Sequence, residues 1–130
     1  MPENPASEVT EGVRVSVRTE YRASESSPAG RFYVFAYHIE ITNESSEAVQ
    51  LLHRVWHIVE SDGEHRLVEG EGVVGQQPLI RPGQTFDYIS GCHFHAPIGK
   101  MSGRYLMERG EEAIEVEIPP FVMVAPFMLN

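Results

Sequence analysis

The chain has 130 residues, with nineteen acidic against ten basic side chains and a formal charge of -9. That length suits one domain with a real core, and the negative field argues against nucleic acid or an anionic membrane surface as a partner. Cys92 is the sole cysteine, so no disulfide can close within the chain, and a reducing, cytoplasmic setting is expected.

Residues 1–12 show no period and are expected to form a disordered lead-in, with one ordered domain over 13–130. Met1 to Glu8 is acidic and holds Pro2 and Pro5, unlike an export leader, and no apolar run approaches the roughly 18 residues of a membrane span. From Val13 the pattern changes. Val13, Val15, Val17, Thr19 and Tyr21 alternate with Arg14, Ser16, Arg18, Glu20 and Arg22, the period of a strand with one buried face. Residues 23–30 are turn formers. Residues 32–42 place Tyr33, Phe35, Tyr37, Ile39 and Ile41 on one face and read as a central strand.

After a turn at 43–46, residues 49–59 are apolar on both faces, and Ser61-Asp62-Gly63 is a hairpin signal that returns the chain through 65–74. Arg81-Pro82-Gly83-Gln84 suits a type II turn, since proline fixes the first central position and glycine supplies a positive φ at the second. A strand about Phe86 and Tyr88 follows, then strands over 103–109 and 113–118 joined at Gly110. Pro119-Pro120 is expected to stop the ladder, and the apolar tail from Phe121 to Leu129 to pack along the body. No window has a helical period. The reading is an all-β, immunoglobulin/fibronectin type III-like antiparallel β-sandwich of about seven strands, with Trp56 as a core anchor.

Several segments together resemble the bacterial ApaG family. They are Tyr33-Val34-Phe35-Ala36-Tyr37, Gln50 to Trp56, Gly70 to Pro78, Arg81-Pro82-Gly83, Ser90-Gly91, Pro97 to Tyr105 and Ile118-Pro119-Pro120-Phe121. The resemblance implies a fibronectin type III-like sandwich. It also implies an association with cobalt and magnesium efflux or tolerance, and a module whose relatives sit in a eukaryotic F-box protein and a polymerase-delta-interacting protein. One departure is visible: the family often has Arg-His-Trp where this chain has Arg54-Val55-Trp56, so no role of that histidine carries over.

Gly70-Glu71-Gly72-Val73-Val74-Gly75 satisfies the GxGxxG pattern, which in dinucleotide folds lets backbone amides and a helix N-terminus approach a pyrophosphate. Here Pro78 and the β surroundings exclude that helix. Two readings stay open: a bulge or crossover that needs glycine, or a loop whose amides, with Gln76 and Gln77, hold a nucleotide or pyrophosphate. Family resemblance suggests the same diphosphate role.

His93 and His95 flank Phe94, and two imidazoles at that spacing could share a divalent ion if a third ligand came from elsewhere, for instance His53 or His57. Two ligands alone make a weak site, so no stoichiometric metal and no cofactor is expected. Arg14, Arg18 and Arg22 share a strand face that is either solvated or an anion patch, and Arg54 either pairs with a carboxylate or meets a ligand. No nucleophile elbow, matched Cys/His motif or paired carboxylates point to catalysis. The expected function is a non-enzymatic module that binds a protein partner, with a small-ligand binder at the Gly70–Gly75 loop as the alternative.

Overall fold

A computed structural model describes residues 6–129. Nine strands follow one another: β1 Ala6–Thr10, β2 Val13–Tyr21, β3 Tyr33–Asn43, β4 Val49–Glu60, β5 His65–Glu71, β6 Leu79–Ile80, β7 Thr85–Phe94, β8 Ile98–Arg109 and β9 Glu112–Val124. One sheet has the order β1-β2-β3-β7. The other runs β5-β4-β8-β9, with β6 also paired to β4, and all pairings are antiparallel. The two sheets pack face to face as the expected sandwich.

The alternation in β2 and β3 is what builds one wall of the core. Val13, Val15 and Val17 are buried opposite Ile41, Ile39 and their neighbours on β3, while Arg14 and Arg18 face solvent. On β4 the inward row is Arg54, Trp56, Ile58 and Glu60. Trp56 is 3% exposed and stands edge-on to the rings of Tyr37 at 5.6 Å and Phe121 at 5.9 Å. A buried ring of this size is the anchor expected of the strand, and such burial stabilises by about 1.5–3 kcal/mol per large apolar side chain. Between the sheets, the hydroxyls of Tyr88 on β7 and Tyr105 on β8 hydrogen-bond at 2.5 Å. Asn43 is wholly buried, and its side chain is fully used, donating to the carbonyls of Glu47 and Ile80 and accepting from Ser45.

Four expectations need correction. Residues 6–10 are not a disordered lead-in but an edge strand, paired to β2 from Ala6↔Val17 to Thr10↔Val13 through a turn at Glu11-Gly12; residues 1–5 lie outside the described residues. A five-residue edge strand buries little, so it leaves no period to read. Second, the hairpin return ends at Glu71 rather than 74, because Gly72 turns the chain at φ 61. Third, Pro119-Pro120 does not end the ladder. The register shifts between Met101↔Phe121 and Gly103↔Ile118, so both prolines stand opposite Ser102 in a bulge, where a missing N–H is tolerated, and β9 continues to Val124. Phe121, Met123 and Ala125 are buried as the expected packing of the tail requires. Fourth, the expected count of about seven strands becomes nine among the described residues, by the addition of β1 and of β6, whose two residues leave no signature in the sequence.

The turn at 81–84 forms as expected, with Gly83 at φ 82 and the Gln84 amide donating to the Arg81 carbonyl at 2.9 Å.

Candidate functional site

The glycine segment begins on β5, where Gly70 pairs with Arg54 of β4. The guanidinium lies directly over Gly70, so a Cβ there would come within 2.7 Å of Arg54 Nη2. From that position Arg54 Nη1 donates to the carbonyls of Glu71 at 2.9 Å and Gly72 at 2.8 Å. Arg54 therefore serves the loop's carbonyls, neither pairing with a carboxylate nor reaching out to solvent.

Gly72 is required for two reasons. Its φ is 61, and a Cβ would collide with the Gln76 carbonyl oxygen. Its amide donates to the Leu52 carbonyl at 2.8 Å. Val73 and Gln76 then exchange backbone hydrogen bonds at 2.8 and 2.9 Å around Val74 (φ 44) and Gly75 (φ 78), a two-residue turn of the hairpin kind. The Val73 side chain plugs the core, and the Gln77 side-chain amide donates to the Leu52 carbonyl at 3.0 Å. Gln76 is exposed. The loop thus brings Gly70, Gly72, Gly75, Gln76 and Gln77 together, but the amides of Gly72, Val73 and Gln76 already have acceptors within the chain.

The rings of His93 and His95 do come together, with centroids 5.9 Å apart, but His57, offered as a third ligand, turns elsewhere. His93 lies beside the ring of Phe32 at 5.1 Å, and His57 stacks on His65 at 6.3 Å across the outer face of β4 and β5. The side chains that do gather are Glu60 at the end of β4, Glu64 beyond the hairpin turn and His95 after β7. Glu60 is held from two directions. Its Oε1 accepts the backbone amides of His95 at 2.6 Å and Ala96 at 3.0 Å, and Arg66 Nη2 lies 3.6 Å from Oε2. Neither Glu60 nor Arg66 was singled out from the sequence. The available signal was parity, since Glu60 falls on the same inward row as Trp56 and Ile58.

The three arginines of the β2 row are each matched. Arg14 pairs with Glu44 at 2.8 Å, Arg18 with Glu40 at 3.2 Å and Arg22 with Glu25 at 3.9 Å, so the row is a solvated ladder. Cys92 packs its thiol 3.9 Å from Met101 Sδ, and burial, opposed by Arg66, pushes its pKa up to about 12, far from a reactive thiolate.

One surface is unusually open. β5 pairs with β4 alone among the described residues, and neither of its faces is buried: Leu67 is 56% and Val68 39% exposed on opposite sides. Val59, also exposed, adjoins Leu67 on the outer face.

An antiparallel sandwich with a glycine crossover braced by an arginine, and an edge strand standing clear of its core, defines a small β-sandwich domain of the fibronectin-like kind. The ApaG domain model matches residues 23–109, and the chain belongs to the ApaG family. Protein ApaG of Rhodospirillum centenum is 46% identical over 121 residues, covering 92% of this chain and 93% of that one. The Methylorubrum extorquens protein of the same name is 44% identical over 120 residues, 92% of each chain. A solved Bordetella pertussis structure, named an ApaA protein, superimposes with a TM-score of 0.84 at 39% identity over 95% of this chain and 98% of that one.

Proposed function

We propose that this chain is a non-enzymatic, cytoplasmic β-sandwich module that binds a protein partner along β5 and the outer face beside it. The observation that carries this reading is the exposure of β5 on both faces and along one edge. Unpaired strand edges offer backbone hydrogen bonds to an incoming segment, and flanking apolar side chains give it pockets to read. Leu67 and Val59 supply that apolar surface on the outer side and Val68 on the other.

The glycine loop supports a structural role better than a nucleotide or pyrophosphate site. The amides of Gly72, Val73 and Gln76 are spent within the chain, and the Arg54 guanidinium is turned toward carbonyls. On this reading the association of the family with cobalt and magnesium efflux or tolerance is an effect of the partner that the module engages.

The test is comparative capture from native cytoplasm by the intact chain and by a Leu67→Glu variant that melts at the same temperature. A protein enriched by the first and lost from the second supports the reading. Identical capture by both removes β5 from it.

A further inference from the structure

We propose that Glu60, Glu64 and His95 form a binding site for one divalent transition-metal ion at the end of the sandwich where the β4–β5 hairpin meets the β7–β8 connection. Glu60 is the central observation. Its side chain is 1% exposed, and while Oε1 takes two backbone amides, Oε2 is buried and accepts no hydrogen bond. Arg66 lies 3.6 Å from Oε2, too far for a hydrogen bond, and a buried carboxylate oxygen in that position can be satisfied by a metal ion at bonding distance. The other two donors reach the same place from solvent. Glu64 Oε2 is 3.7 Å from His95 Nδ1, and one ligand atom from each of the three residues lies within 4.8 Å of the others.

The framework holds these groups where an ion needs them. The turn between Glu60 and Glu64 is closed by the Gly63 amide on the Glu60 carbonyl and the Glu60 amide on the Glu64 carbonyl, both short. The His95 backbone is tied to Glu60 itself. The two amides on Oε1 fix the carboxylate as outer partners fix a metal ligand. With bonds of about 2.1 Å, a tetrahedral ion wants donors about 3.4 Å apart, so from separations within 4.8 Å the exposed Glu64 and His95 side chains have at most about 1.4 Å to close. One imidazole with two carboxylates suits zinc, cobalt or manganese rather than magnesium or calcium, which favour all-oxygen shells. Since Glu64 and His95 are about half exposed, water can complete the shell.

Arg66 opposes the ion. Its Nη2 is 3.6 Å from Glu60 Oε2 and 3.3 Å from the His93 carbonyl, so one positive charge already offsets part of the site. The expected site is therefore a moderate one, filled when metal is supplied.

Tag-free, chelator-stripped protein titrated with Zn²⁺ by calorimetry, and with Co²⁺ by visible absorption, decides it. One ion per chain is expected, with affinity weakened at least about tenfold in His95→Gln and in Glu64→Gln, and unchanged in His93→Gln. Both test positions are at the surface, so these variants should fold normally, which a melting curve verifies. The site is refuted if the intact chain takes up neither ion saturably. It is equally refuted if His95→Gln and Glu64→Gln bind as well as the parent while changing the stacked His57 and His65 abolishes uptake.

Discussion

The inward row of β4 ends in two charges, Arg54 beside the glycine loop and Glu60 beside the hairpin, with Trp56 and Ile58 between them. The two ends use their charges differently. At the first, Arg54 meets backbone carbonyls, and the amides of Gly72, Val73 and Gln76 find acceptors within the chain. At the second, Glu60 Oε1 takes two amides while Oε2 faces the Arg66 guanidinium at 3.6 Å without a hydrogen bond, as Arg66 has a buried Nε without one. The segment that resembles a ligand motif in sequence leaves amides free at the exposed turn of Val74 and Gly75. The segment without a motif retains unused valence, and unused buried valence is what a ligand can exploit.

Trp56→Ala sets the scale between the two ends and should cost about 3–5 kcal/mol in chemical denaturation, as large core truncations do. A loss below about 1 kcal/mol would remove Trp56 from the core. Glu60→Ala should cost about 3 kcal/mol by leaving Arg66 without its carboxylate, and adding Arg66→Met should recover part of it. If the double variant is no more stable than the single, the pair does not act as a unit. Gly72→Ala should cost about 2–3 kcal/mol from its positive φ and the displaced Gln76 carbonyl, whatever the loop binds.

Smaller effects separate the ends further. Burial raises the Cys92 pKa to about 12 from an ordinary 9.0, so the folded chain keeps a proton that the unfolded chain releases. Stability from this group is complete below about pH 9 and declines as pH rises toward 12, by about 1 kcal/mol at pH 10, readable in urea titrations against Cys92→Ala. The smallest effect belongs to the loop. Pyrophosphate or ATP at low salt should show no site tighter than about 1 mM, about 4 kcal/mol of binding free energy. A micromolar, one-to-one site lost in a cooperatively folding Gly72→Ala variant would reverse the contrast.

What could be read from the sequence follows from how much each strand buries. β2, β3 and the first part of β9 each bury one face, so Val13 to Val17, Tyr33 to Ile41 and Ile114 to Ile118 announce themselves by alternation. β1 and β6 are short pieces at margins, and the Pro119-Pro120 bulge follows from pairing with β8 rather than from anything local. The glycines mark where β5 ends and the chain turns, yet the chemistry of that turn depends on Arg54, Leu52 and Gln50, which pairing alone brings to it. The Glu60 corner needed more still. His95 was visible as half of a pair with His93, but Glu60 and Glu64 reach it only because the hairpin and the β7–β8 connection end at the same height.

The Tyr88–Tyr105 contact has a mechanical meaning. Two greasy sheet faces can slide across one another by small steps with little loss, since dispersion is not directional. A hydroxyl pair buried between β7 and β8 is directional, and slippage would strand both oxygens away from water. It works as a shear pin, fixing the lateral offset of one sheet upon the other and, with it, the alignment of every loop that spans the two.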